Sequence, residues 1–102
     1  MAEQLCCLNL IVSPEAEENL LDLLLVSPET SAFTSIQVAG HGADPTRWST
    51  AEQVLGRSRR MQVQLIVSRE AANALLDRLR TELPGAGIFY WLSAVEAMGE
   101  IR

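Results

Sequence analysis

Apolar and polar positions alternate over much of MQVQLIVS (61–68), and LCCLNLIV (5–12) is an apolar run interrupted by Asn9, which predicts two strands. Each run passes into a stretch whose apolar residues recur at helical spacing. These are Ala16, Leu20, Leu21 and Leu24 in the first, and Ala72, Leu75, Leu76, Leu79 and Leu83 in the second. Each helix therefore has one face to bury. Ser13 and Ser68 stand where a hydroxyl can accept from the first free amides of a helix, Pro14 fits a first turn, and Glu15, Glu17 and Glu18 suit the positive end of the dipole. A turn signal follows each helix, SPETS or PGAG, and then a further strand, AFTSIQVAG (32–40) or GIFYWLSAV (87–95).

The two halves are copies of one unit. Shifted by 55 residues, LIVSPEAEENLLDLL (10–24) matches LIVSREAANALLDRL (65–79) at ten of fifteen positions, and the two later strands superpose under the same shift. Strand, helix, strand, taken twice, predicts an α+β chain with the ferredoxin-like βαββαβ fold, a four-stranded antiparallel sheet with two helices on one face. The repeat assigns Cys6, Leu8, Leu10, Val12, Met61, Val63, Leu65 and Val67 to the helix-covered face. The opposite face is expected to carry Leu5, Cys7, Asn9, Ile11, Gln62, Gln64, Ser35, Gln37, Tyr90 and Leu92. That set is uncharged and mixed, as a hydrogen-bonded interface between copies would be. An RNA-binding sheet of this fold needs aromatic residues on its central strands, and Cys7, Asn9, Gln62 and Gln64 hold those positions.

With 102 residues the chain reads as a single domain, 1–102, with enough length for one core. A formal charge of -5 argues against nucleic acid and anionic membranes as partners. All eight basic residues are Arg, which excludes mechanisms built on a lysine. Cys6 and Cys7 are adjacent, so a strand sends them to opposite faces, and they read as structural thiols in a reducing compartment. The first residues have no basic start and no apolar run approaches membrane-spanning length, so a cytoplasmic protein without membrane insertion is the expectation.

One segment departs from this regularity. Residues 41–58 join the second strand to the third and far exceed a hairpin turn. STAE (49–52) matches a capping box, with Gly56 able to end a short helix, which gives Glu52 a structural reading. Gly40 and Gly42 flank His41, the sole histidine, and leave its imidazole without bulky neighbours. His41 is either a ligand for a transition-metal ion, with Glu52, Asp44 or the thiols as helpers, or a solvated loop residue. Arg57, Arg59 and Arg60 form a cationic knot fit for a phosphate, a carboxylate or an acidic partner, or else they guard a strand edge. Trp48 can anchor a partner or pack on the domain. No nucleophile motif or other catalytic constellation is present, so the chain is not expected to be an enzyme.

FTSIQVAGHG, AEQVLGRSRR, LPGAGIFYWLSAV and MGEIR give the whole chain a resemblance to the PII-like superfamily. Within it, the chain is most similar to small PII-like bacterial proteins associated with heavy-metal efflux. That resemblance implies a homotrimer with sheets facing the threefold axis. It also implies that residues 41–58 are a T-loop-like insertion through which a protein target such as a metal-efflux component is touched. Gly40, Gly42, Trp48, Gln53, Arg57, Arg59 and Arg60 would then be the contact residues. Gly85 and Gly87 of PGAG would sit where PII proteins have a glycine-rich loop that helps bind adenine nucleotide between subunits. The chain departs from those proteins in having no Lys and no cation near PGAG, so Arg57, Arg59, Arg60 or Arg102 of a neighbouring subunit would have to substitute. The leading expectation is a trimeric PII-like regulator linked to heavy metals. The alternatives are an adenine-nucleotide sensor and a ligand-free interaction module.

Overall fold

The structure, a computed structural model, describes residues 4–42, 50 and 56–102. Asp44, Trp48, Gln53 and, of the 49–52 capping box, Ser49, Ala51 and Glu52 lie outside the described residues. The elements are β1 (Leu5–Val12), α1 (Pro14–Val26), β2 (Thr34–Gly40), β3 (Ser58–Ser68), α2 (Arg69–Glu82) and β4 (Phe89–Ala94). They form the predicted fold, with strand order β2-β3-β1-β4 and every neighbouring pair antiparallel.

The two strands that the repeat relates, β1 and β3, are the central pair. Their inward residues Cys6, Leu8, Leu10, Val12, Met61, Val63, Leu65 and Val67 are all buried, as the repeat predicts. They meet Leu20 and Leu24 of α1 and Ala72, Leu75, Leu76 and Leu79 of α2 in one core. Leu8, Leu10, Leu20, Leu24, Leu65 and Leu75 are completely enclosed, and each such leucine contributes about 1.5–3 kcal/mol of transfer free energy. The Arg78 Nη2 donates to both carboxylate oxygens of Glu29, at 2.8 and 3.1 Å, and ties the turn after α1 to α2.

The two helix starts differ, although their sequences match. The Ala71 amide donates to Ser68 Oγ at 3.0 Å, so Ser68 caps α2 through its hydroxyl. Ser13 makes no side-chain cap bond, because the equivalent amide, that of Ala16, donates to the Ser13 carbonyl at 3.1 Å instead.

The face assignment needs correcting at the two edge strands. Ser35 and Gln37 pair with Val63 and Met61, and Tyr90 and Leu92 pair with Leu10 and Leu8, so all four point to the helix side. The open face carries Thr34, Ile36, Val38, Phe89, Trp91 and Ser93 in their place, across from Gln64, Gln62, Arg60, Ile11, Asn9 and Cys7. Edge strands have a neighbour on one side only, and in FYWLSA both alternate sets contain apolar residues, so the polarity of β4 carries no clear phase.

Candidate functional site

The open sheet face combines a polar centre with apolar flanks. Asn9, 3% exposed, lies at the centre of β1. Its Oδ1 accepts from Gln64 Nε2 at 2.9 Å and from Gln62 Nε2 at 3.3 Å, and its Nδ2 donates to the Cys7 carbonyl at 3.3 Å. Asn9 and Gln64 are both register partners and repeat counterparts, 55 positions apart. The internal twofold relation of the fold therefore passes between them. On one side of this hub Ile36 is 61% exposed, and on the other Phe89 is 65% exposed beside Trp91, with ring centroids 6.1 Å apart. Large apolar side chains on both margins of a charge-poor face mark a surface that gains by being covered.

A second cluster sits at the end of the β2–β3 hairpin. Gly40 pairs with Ser58, and a Cβ on Gly40 would lie 2.6 Å from Ser58 Oγ, so close strand approach explains this glycine. His41, Gly42 and Arg57 are exposed just beyond the paired residues. Arg60 projects to the open face across from Val38 and donates from Nη1 to the Arg59 carbonyl at 2.7 Å. Among the described residues no three His, Cys, Asp or Glu side chains come together to hold a metal ion. Asp44 and Glu52, the expected helpers of His41, lie outside the described residues. Burial raises the Cys6 thiol above its ordinary value, which keeps it protonated and a poor ligand.

The third feature is a cleft of about 350 Å³ at the PGAG turn. Gly85 and Gly87 hold φ of +76° and +71°, the left-handed conformation that lets the chain double back from α2 into β4. Leu76, Leu79, Leu83 and Ile88 form apolar walls, and Arg80 and Tyr90 stand together among the lining residues. The guanidinium of Arg80 lies 5.9 Å from the Tyr90 ring centroid, its Nη2 donates to Tyr90 Oη at 3.4 Å, and its Nη1 reaches Asp77 at 3.0 Å. The expectation that no cation lies near PGAG is thus overturned. Arg80 sits one helical turn before Pro84, on the flank of α2 that also carries Leu76 and Leu83. Counting back along the helix from the turn, rather than along the turn itself, would have found it.

The register fixes how these features sit relative to one another. Ile11 pairs with Phe89, Val12 with Met61 and Gly40 with Ser58, so the PGAG turn and the hairpin end occupy the same end of the sheet. They lie on opposite edges, β4 and β2, roughly three strand spacings or ~14 Å apart. Among the described residues nothing joins them within one chain. Among the described residues no helix is long and apolar enough to cross a membrane.

Solved structures of PII-like proteins share this fold. CPII, a nitrogen regulatory PII-like protein from Thiomonas intermedia bound to ADP, AMP and bicarbonate, is similar with TM-score 0.70 at 16% identity, covering 96% of this chain and 97% of that one. CutA from Synechococcus elongatus is similar with TM-score 0.66 at 18% identity, covering 92% and 79%. At such identities the likeness is one of fold. The chain belongs to the DUF3240 family of proteins of unknown function, whose family model matches residues 2–102. A DUF3240 family protein from Shewanella baltica is similar over the full length of both chains, with TM-score 0.79 at 17% identity. No protein of curated function matches the chain in sequence.

Proposed function

We propose that this chain is a PII-like signalling or regulatory protein that works as a homotrimer. Its open sheet faces turn toward one another, and the 41–58 loop contacts a protein partner such as a metal-efflux component. The observation that carries the reading is the open face itself, where Ile36, Phe89 and Trp91 are left uncovered around the Asn9 hub. A second copy laid on this face buries the flanks and leaves the amides paired. The switch would be a ligand that binds one arrangement of the loop better than another, since only differential affinity shifts a population.

The heavy-metal link rests on His41 at the base of that loop, and a lone imidazole needs further ligands from neighbouring copies or from residues 43–55. Calorimetric titration with Cu, Zn, Co and Ni tests it. Heat that disappears in His41→Ala supports the metal reading, and identical flat traces for both proteins remove it. Arg80 in the PGAG cleft favours a second reading, an adenine nucleotide held between subunits. Thermal-shift measurements with ATP, ADP and AMP decide it, since ligand at 100 times its dissociation constant adds about 2.7 kcal/mol. Arg80→Ala should abolish the shift.

A further inference from the structure

The internal repeat supplies a control for the outer surface of α1. Under the shift of 55, Leu20, Leu21 and Leu24 match Leu75, Leu76 and Leu79, so both helices present the same residues to the core. Their last turns diverge. Where α2 carries Arg80 and Thr81, α1 carries Leu25 and Val26, which are 70% and 78% exposed. Pro28, exposed just beyond them, extends the apolar surface. Fold position does not account for these residues, since the same positions on α2 are filled by side chains that water solvates.

The same side of α1 is acidic. Glu15, Glu18 and Asp22 are exposed and recur at three- and four-residue spacing, so they form one stripe that ends on Leu25 and Val26. The stripe is roughly 16 Å long at the rise of a helix. Nothing on it answers the charge, because α1 holds no basic residue and the first in the chain is Arg47. α1 leaves the sheet beside Val12, at the end shared by the hairpin and the PGAG turn, and carries its last turn toward the other end. It also lies on the helix-covered side. The stripe is therefore separate from the loop, the cleft and the open sheet face, and it stays uncovered whether or not another copy covers that face.

We propose that the outer side of α1 is a docking surface for a basic segment of a partner protein. The segment sets apolar side chains on Leu25 and Val26 and Lys or Arg side chains along Glu15, Glu18 and Asp22. The apolar contact supplies affinity, and the charges fix orientation and exclude acidic partners. A second copy docked patch to patch fits less well. It brings carboxylates with no cation to meet them, and a few side chains cover far less than the ~800 Å² per partner of a stable interface. The same carboxylates repel an anionic bilayer. This surface does not depend on the trimer reading.

Selection of a phage-displayed library of random peptides on the full wild-type chain tests the proposal. Enriched sequences should combine paired apolar residues with Lys or Arg. Their synthetic peptides should lose roughly tenfold or more in affinity for Leu25→Arg with Val26→Thr, the pair that α2 itself carries at these positions. Glu18→Lys with Asp22→Lys should weaken them as well, and carries the test alone if the first pair fails to fold. No enrichment, enriched peptides without a cation, or peptides that bind wild type and variants alike overturn the proposal. So does wild-type binding to phosphatidylglycerol vesicles that Leu25→Arg with Val26→Thr abolishes, which assigns the surface to a membrane. A particle mass that the same variant reduces overturns it too, and assigns the surface to a second copy.

Discussion

Removal of the Asn9 carboxamide tests whether the open face is covered, because its cost depends on what lies above it. Asn9→Ala deletes acceptance from Gln64 at 2.9 Å and from Gln62 at 3.3 Å, and donation to the Cys7 carbonyl at 3.3 Å. A net hydrogen bond is worth about 0.5–1.5 kcal/mol. In a free chain Gln64 is exposed and Gln62 half-buried, so both amides turn to water, and the loss of the three bonds stays within about 1.5–4.5 kcal/mol. Beneath a second copy water is excluded, and each of the two stranded amides costs about 1–3 kcal/mol, which with the lost bond to the Cys7 carbonyl raises the total to about 2.5–7.5 kcal/mol. Urea unfolding of wild type and variant over a hundredfold range of protein concentration separates the cases. The gap between the two proteins should widen with concentration, while any cavity left by the alanine acts equally throughout. A gap that is constant across the series refutes the covered face, and no gap at all refutes the hub.

Other substitutions probe the parts that position the site. Gly40→Ala pushes a Cβ against Ser58 Oγ, and Ser58 is 1% exposed with nowhere to swing. Chemical denaturation should therefore show a loss of about 1–3 kcal/mol that Gly40→Ala with Ser58→Ala largely restores. Ser68→Ala should cost about 0.5–2 kcal/mol, whereas Ser13→Ala, which removes no cap bond, should leave stability almost unchanged. The hydrogen bond from Arg78 holds the Glu29 carboxyl below its ordinary value. Its contribution is complete above the unfolded glutamate value of about 4.3 and is lost as pH falls through the lower folded value. Melting temperatures between pH 7 and pH 2 should accordingly show a smaller acid decline in Arg78→Ala than in wild type.

The central half of the fold was legible because β1, β3 and both helices repeat one pattern, and that pattern assigned every inward residue of the central strands correctly. The edge strands were not. Nothing in TSIQVAG or FYWLSA distinguishes a face packed on helices from a face awaiting another chain, since both need apolar residues. Pairing register settled it, by setting Tyr90 beside Leu10 and Trp91 beside Asn9. Arg80 escaped notice for a different reason. The cleft is made by the last turns of α2 folding over β4, a tertiary proximity that sequence distance along PGAG does not reveal. Of the loop residues singled out, Gly40, His41, Gly42, Arg57, Arg59 and Arg60 gather at the hairpin end. Gly85 and Gly87 lie across the sheet from them, and the trimer proposed above is what would bring the two groups together.

The mass of the full chain in solution, followed by sedimentation equilibrium over a range of dilutions, bears most directly on that conclusion. The account predicts a particle of three times the 11.2 kDa chain mass. A stable 11.2 kDa species at every concentration, with Trp91 fluorescing as a hydrated indole, would contradict it.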